Sequence, residues 1–422
     1  VNLRFVKMPQ GIQPILEIEK LSSSGEGIAR NQGLVYFIPR TLPGEKCVVR
    51  PVLSKKKWCR ALPVKWLQYS GDRTKPPCSY YDKCGGCQLQ HISYEDQLVF
   101  KKHALEETLR RIGHIEQEAE AVHPSRPFGY RRKVTFEVRF TSAGEPELCF
   151  HRWDTPRDLV AIGQCPQLVP ALNDSLPPLL VWISRISWKN AIQKAVLVSD
   201  EEGVKVILRL KQPKAAMEKS SETIALPEGI EAVYISKDRE HAPLKKLLSG
   251  SSQGFPPGSF RQINAEAAAF LYRQVVHFLP EACSSVVDAY GGSGELAVML
   301  LEQCGKVTLI ELDSQTVRQA RRRSSGRKLL VRQGRVEDLL PKALPAEYVI
   351  LDPPRAGCSQ PVIKTLQEFS PSRIAYISCH PAALARDLRS LMDHGYRISR
   401  VQPVDMFPQT YHLETLVLLE TP

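Results

Sequence analysis

From Ile15 to Trp66 apolar and polar residues alternate in short runs. Ile15-Leu-Glu-Ile-Glu, Gly33-Leu-Val-Tyr-Phe-Ile, Cys47-Val-Val-Arg-Pro-Val-Leu and Ala61-Leu-Pro-Val-Lys-Trp are separated by Gly25-Glu-Gly27, Pro43-Gly44 and Lys55-Lys56-Lys57. A period of two with turn signals roughly every ten residues predicts a small antiparallel β-barrel over residues 1–70. The period then lengthens: Leu98, Leu105 and Leu109 form an apolar stripe flanked by Lys101-Lys102, and Gly113 ends it, so 95–113 is expected to be a helix. Strand texture returns in Lys133-Val-Thr-Phe-Glu-Val-Arg-Phe, Lys194-Ala-Val-Leu-Val and Val204-Lys-Val-Ile-Leu-Arg-Leu, with a helical segment around Leu168 to Ile186 and a Lys/Ser/Glu/Pro-rich loop at 212–228. Residues 71–255 therefore read as a central α+β domain. From 256 to 422 strands alternate with helix-length segments: Ser285-Val-Val-Asp-Ala-Tyr, Lys306-Val-Thr-Leu-Ile-Glu-Leu, Lys328-Leu-Leu-Val-Arg, Tyr348-Val-Ile-Leu-Asp, Arg373-Ile-Ala-Tyr-Ile-Ser, and a closing pair near 398–404 and 413–419. That alternation predicts an α/β doubly wound sheet.

Charge adds a partner. Lys and Arg number 57 against 45 Asp and Glu, a net charge of +12. The clusters Lys55–Lys57, Lys101-Lys102, Arg131-Arg132-Lys133, Lys245-Lys246 and Arg321–Arg323 spread the excess along the chain, as a broad polyanion footprint requires. A barrel of this size is compatible with single-stranded nucleic acid or with a structural role. No apolar run approaches the roughly 20 residues needed to span a bilayer, and the first residues lack the apolar core of a signal peptide. A cytoplasmic protein with no membrane and no protein partner is expected, with its 11 cysteines reduced.

Three cysteines stand apart from the rest. Cys78 precedes Cys84-Gly-Gly-Cys87, a spacing that can turn thiolates toward one metal centre, zinc or iron–sulfur. The fourth ligand is expected to be Cys165, because a following proline recurs at iron–sulfur ligands; Cys149 is the competitor. In the C-terminal half, Asp288-Ala-Tyr290-Gly291-Gly292-Ser-Gly294-Glu295 follows the first strand, and Glu311 ends the second, 17 residues past Gly294. A glycine turn followed by an acidic residue suits a nucleoside, the carboxylate taking the ribose hydroxyls. Glu295 and Asp288 would repel a pyrophosphate, so the cationic S-adenosylmethionine fits better than a dinucleotide. Asp352-Pro-Pro-Arg355 and Ser378-Cys379-His380-Pro381 end the fourth and fifth strands, and Glu414 starts the last; strand ends are where ligands bind in such sheets. A helix beginning after Cys379 would favour its thiolate.

Taken together, these elements resemble the RNA uracil-C5 (5-methyluridine) methyltransferase family, in its branch with a TRAM barrel and an iron–sulfur cluster. The resemblance rests on Gly25-Glu-Gly27-Ile-Ala-Arg30, the Cys78, Cys84, Cys87 and Cys165 set, Phe260-Arg-Gln262-Ile-Asn264, the glycine turn, Asp352-Pro-Pro-Arg-Ala-Gly357, Ser378-Cys379, and Asp405-Met-Phe-Pro-Gln-Thr410 leading to His412-Leu-Glu414. It implies a 4Fe-4S cluster on Cys78, Cys84, Cys87 and Cys165, with Cys379 as nucleophile and Glu414 as general base. S-adenosylmethionine contacts fall on Gln262, Tyr290, Glu295, Glu311 and Asp352. It also implies that helix 95–113 packs on the catalytic domain. Phe260 is a candidate stacking partner for the target base. RNA is the expected substrate, ribosomal (23S) rather than transfer RNA. The chain departs from the family pattern at His380, where Asn is frequent, at Arg335, where Asp or Asn often follows the third strand, and at Gly291, where Cys is frequent. Two other readings are an amine-directed methyltransferase using the Asp-Pro-Pro loop and a non-catalytic iron–sulfur RNA-binding protein.

Overall fold

The computed structural model describes residues 13–211, 225–237, 244–249 and 262–421. Phe260, the candidate stacking residue, lies outside them. Three sheets follow one another along the chain. The first holds β1 (Ile15–Glu17), β2 (Lys20–Leu21), β3 (Gly27–Asn31), β4 (Leu34–Ile38), β5 (Lys46–Ser54) and β6 (Trp58–Gln68) in the order β1-β5-β6-β4-β3-β2. β1 and β2 occupy opposite edges yet are nearly continuous in sequence, and Ile18 N–H donates to Glu45 O while Glu19 N–H donates to Ile28 O. The sheet is thereby carried round onto itself. It has six strands, and β4 pairs β6 in parallel, where pure antiparallel pairing was expected. Its inward residues, among them Ile38, Val49 and Ala61, are fully buried, while Lys55–Lys57 are exposed at the β5–β6 turn.

After this barrel comes α1 (Tyr94–Gly113). Ser93 caps it by accepting from Asp96 N–H, and His114 in the left-handed region ends it. Leu105 and Leu109 bury against Leu384 and Leu388 of the C-terminal half, within one core cluster. Lys101 is not on a solvated basic flank. Its side chain is fully buried, with Nζ 2.6 Å from Asp405 Oδ1. Helical periodicity places Lys101 beside the apolar stripe, and only the docking of α1 supplies the anion that makes its burial tolerable.

The central sheet comprises β7 (Lys133–Phe140), β8 (Pro146–His151), β9 (Leu159–Ala161), β10 (Ile192–Asp200), β11 (Gly203–Leu210), β12 (Ile230–Lys237) and β13 (Lys245–Ser249), ordered β13-β12-β11-β10-β7-β8-β9. α2 (Pro170–Asp174) and α3 (Leu176–Arg185) cover one face, where Leu172, Leu179 and Ile183 join Phe136, Leu197 and Leu208 in a second core.

The last sheet is built from β14 (Cys283–Ala289), β15 (Cys304–Glu311), β16 (Leu329–Gln333), β17 (Tyr348–Leu351), β18 (Arg373–Ser378), β19 (Arg397–Val404) and β20 (Glu414–Glu420), ordered β16-β15-β14-β17-β18-β20-β19. The first five are parallel and β20 enters antiparallel against β18. Helices α4 (Ala265–Phe278), α5 (Glu295–Leu300), α6 (Ser314–Arg323), α7 (Val336–Leu339), α8 (Gln360–Phe369) and α9 (Pro381–Met392) supply the flanks. The strand order reverses between β14 and β17, which opens a crevice at their carboxyl ends. One expectation fails here. Cys283 and Cys304 pair across β14 and β15 and form a disulfide, so not every cysteine is a free thiol. Parallel register sets the two directly opposite each other, a neighbourhood that spacing in sequence does not reveal.

Candidate active site

The crevice is lined by carboxyl groups. Asp288 near the end of β14 is buried, and burial with the charges of Asp352 and Glu311 pushes its pKa up to about 8. Asp352, just after β17, is raised by burial and by Glu311. Glu311 at the end of β15 is fixed by the glycine turn, its Oε2 accepting from Gly292 N–H at 3.1 Å and its Oε1 from Asp313 N–H at 2.8 Å. A side chain at Gly291 would lie 2.7 Å from Asp288 Oδ2, so glycine lets the backbone pass over the carboxylate. That contact also explains the departure at position 291: no larger side chain fits without a shift. Glu295 opens α5 and pairs with Arg323 at 3.1 Å. Leu312, 64% exposed, follows Glu311 and offers an apolar face at the strand end.

Gln262 reaches this group through Tyr272. That tyrosine, on α4, has Gln262 as a hydrogen-bond partner, and its pKa is raised by burial and by Asp352, Glu295 and Asp288. Four residues singled out from sequence (Gln262, Glu295, Glu311 and Asp352) therefore border one crevice, and the glycine turn's Tyr290 faces elsewhere. It has φ +64°, and the ionisable groups that raise its hydroxyl's pKa after burial are Cys358, Glu337 and Asp387. Sequence reading gave Tyr272 no role, because nothing in a helical alanine-rich run marks the one residue that faces the sheet's crevice. Buried acids whose charge is repelled by one another form a receptor for a cation.

Cys379 and Glu414 meet at the next strand end. Ser378 and Thr415 are register partners on β18 and β20, which sets Cys379 beside Glu414. The Cys379 thiol is pushed up to about 11 by burial and by Glu414 and Asp352, against the lowering effect of Arg355. Glu414 is raised well above the usual carboxyl range by burial and by Asp352, again opposed by Arg355. The helix N-terminus after Cys379 therefore does not by itself make a thiolate in the free protein; burial and two carboxyls outweigh it. His412 is held neutral, its pKa lowered to about 4 by burial and by Arg355, Lys101, Arg131 and His380. Arg355 is thus the local cation for Cys379 and Glu414 alike, a role the motif's spelling did not convey.

His380 has a structural explanation. Its Nδ1 accepts from Ala383 N–H at 3.2 Å and so caps α9, the bond an Asn side-chain oxygen would make at that position. Arg335 precedes α7 and lies 3.5 Å from Glu337, two-thirds exposed.

Cys78, Cys84, Cys87 and Cys165 line one cavity of about 420 Å³, between the turn after the barrel and the central sheet. Cys149 instead lies fully buried within β8. Burial first, and the neighbouring thiols after it, push Cys87 up to about 12 and Cys165 up to about 11. Arg131 Nε and both polar atoms of the Gln167 side chain are buried in the cavity wall without a hydrogen-bond partner. Among the described residues, no group of three or more His, Cys, Asp or Glu side chains is gathered closely enough to hold a single metal ion.

Comparison with known proteins agrees with this geometry. The family model for tRNA (uracil-5-)-methyltransferase matches residues 329–422, and that for the TRAM domain residues 15–50. A 23S rRNA (uracil(1939)-C(5))-methyltransferase of Shewanella sediminis is 31% identical over 96% of this chain and 95% of its own. Its Pseudomonas putida counterpart is 31% identical over 99% and 96%. The fold matches that of the Pyrococcus abyssi tRNA (uracil-54, C5)-methyltransferase, solved with S-adenosyl-L-homocysteine, with a TM-score of 0.73, 24% identity, and coverage of 96% of this chain and all of that one. With a TRAM barrel, a cation-receptive crevice at the sheet's switch point and a cysteine facing a buried glutamate, the chain belongs to the S-adenosylmethionine-dependent RNA uracil-C5 methyltransferase family.

Proposed function

We propose that the enzyme methylates carbon 5 of a uridine in 23S ribosomal RNA, with Cys379 as nucleophile and Glu414 as base. The observation that carries this reading is the meeting of Cys379, Glu414 and Asp352 at adjacent strand ends beside Arg355. S-adenosylmethionine supplies an electrophilic methyl group next to Asp352 and Asp288. Uracil carbon 5 is too weak a nucleophile unaided. Cys379 Sγ adds to carbon 6 as a thiolate, and the electrons of the carbon 5–carbon 6 double bond shift onto carbon 5 and the adjoining carbonyl. Carbon 5 takes the methyl group, and the sulfonium's bond pair leaves with sulfur. Glu414 as carboxylate then removes the carbon-5 proton. The double bond re-forms and expels the thiolate, dividing one hard step into easier ones. Arg355 is suited to stabilise Sγ as the partly exposed thiol gives its proton to solvent before the attack.

Gln262, Tyr290, Glu295, Glu311 and Asp352 are assigned to the cofactor. The relatives' names support ribosomal RNA as substrate. The barrel of 1–70 is assigned to RNA binding, 71–255 to the cysteine-bearing unit and 256–422 to catalysis. Cys78, Cys84, Cys87 and Cys165 are proposed to hold a 4Fe-4S cluster, which would cross-link the turn after the barrel to the segment that follows β9. The cavity's four thiols, its unpaired buried Gln167 and its volume fit a cluster, whose ligands stand around a body rather than a point.

The decisive experiment is Cys379→Ala with total RNA as substrate. Methylation should fall by roughly 10³-fold or more, and 5-methyluridine mapping in a strain lacking the gene should show the loss in 23S RNA. Near-normal turnover by Cys379→Ala would sink the covalent reading, and loss confined to transfer RNA would replace the substrate.

A further inference from the structure

The loop from Asp405 to Leu413 ends at Glu414, and its backbone is held from outside at several points. The attachment at Gln409 differs in kind from the others. Its carbonyl accepts from Gln88 N–H and Leu89 N–H, each at 3.0 Å, and these residues follow Cys87 directly. Its own N–H donates to Gln97 Oε1 at 3.1 Å, and its Oε1 accepts from Gln97 Nε2 at 3.0 Å. Gln97 Nε2 also donates to Leu89 O at 3.1 Å. The two glutamines are 3% and 1% exposed, so each of these bonds is made where water cannot replace it. They close a ring joining three segments distant in sequence: the chain leaving the cysteine cavity, helix α1, and the loop that carries the base. Gln409 also has φ +69°, a left-handed conformation uncommon outside glycine, which persists when the surroundings over-determine it.

We propose that Gln409 is a positioning residue for Glu414, and that it acts by fastening the base's loop to the chain leaving the cysteine cavity. The inference rests on the reading of Glu414 as base. It has a specific chemical consequence, because Glu414 works only after the methyl group has been transferred. Displacing it leaves the carbon-5 proton in place, so the electron pair needed to expel Sγ is not released and the Sγ–carbon 6 bond persists. A loosened loop should therefore trap methylated RNA on the protein, while cofactor binding, made at β14, β15 and β17, is untouched.

Gln409→Ala and Gln97→Leu break the ring from opposite sides. Each should lower kcat by roughly 10²-fold, leave KM for S-adenosylmethionine unchanged, and accumulate a protein–RNA band that survives denaturing electrophoresis. Backbone amides of residues 405–413 should exchange with solvent faster in both variants, and in Cys84→Ser as well. Glu414→Gln serves as reference and should trap the same band. Turnover without the band in a Gln97→Leu protein that melts like the wild type overturns the proposal, as does unchanged amide exchange in both ring variants. If Glu414→Gln itself releases RNA normally, the assignment of the base falls and this inference with it.

Discussion

The acidic crevice and the cysteine cavity are built on the same electrostatic idea and on opposite mechanics. Each gathers ionisable groups whose charge burial opposes: Asp288, Asp352 and Glu414 in the first, Cys84, Cys87 and Cys165 in the second. Each thus awaits a positive partner. The carboxyls, however, sit at strand ends of one hydrogen-bonded sheet, Asp288 and Asp352 by parallel β14 and β17 and Glu414 at the start of antiparallel β20, with register set by the whole sheet. The thiols sit on turns, Cys78–Cys87 in one segment and Cys165 in another, tied by few bonds across the gap. One that crosses is the Gly163 N–H to Tyr80 Oη bond at 3.0 Å; on either side of it, Cys165 N–H donates to Asn173 Oδ1, and the Arg40 guanidinium donates to Tyr81 O and to Cys84 O at 2.8 Å while stacking on Tyr81 and Trp153. A site on strand ends is preorganised before its ligand arrives; a site on turns draws much of its order from the ligand.

The comparison breaks most sharply if the cysteines are removed. Cys84→Ser with Cys87→Ser should abolish iron binding and make residues 78–92 susceptible to limited proteolysis, with a loss of several kcal/mol in stability; intact folding and activity would show that the turns order themselves. Next in size, Asp352→Asn should weaken S-adenosylmethionine binding by roughly 10-fold to 100-fold through loss of a buried charge partner, with the melting temperature of the free protein unchanged or raised, because a repelled carboxyl has gone. Calorimetry and thermal melting check the two halves separately. A pH experiment sharpens the same point. Asp288 has a folded pKa of about 8 against an ordinary 3.8, so between those values the unfolded chain holds fewer protons than the folded one. The free protein should lose stability as pH rises through that window. A cation lowers these pKa values, so the thermal stabilisation by S-adenosylmethionine should be greater at pH 8 than at pH 6. Proton release on binding, read from calorimetry in buffers of different ionisation enthalpy, should exceed that for S-adenosylhomocysteine, which lacks the sulfonium charge. The smallest effect belongs to His380. His380→Asn should keep the α9 cap and cost less than ~0.5 kcal/mol, while His380→Ala should cost about 1 kcal/mol in a melting experiment.

Much of this was open to sequence reasoning for a physical reason: local period and short motifs report local structure. Alternation located four of the six barrel strands, missing β2 and β3, and the βα alternation located the catalytic sheet, because each arises from neighbours in the chain. β9, β12 and β13 were missed, since their short mixed runs form strands only when paired. Lys101 reads from sequence only as part of a basic flank, because its anion, Asp405, lies 304 positions away. Tyr272 and the signs of the Cys379 and Glu414 shifts were hidden likewise, for a pKa depends on what surrounds a group in space.

By itself, then, the sequence determined the order of three units, the motifs at the ends of the catalytic strands and the family they spell, because those depend on residue type and spacing. Only the tertiary structure decided that Cys165 and not Cys149 shares the cavity of Cys78, Cys84 and Cys87, that Cys283 faces Cys304, that His380 caps a helix, and that Gln409 ties the loop before Glu414 to the chain after Cys87. Each of these joins residues far apart in the chain or turns on the direction of one side chain, and such relations exist only once packing has chosen a register.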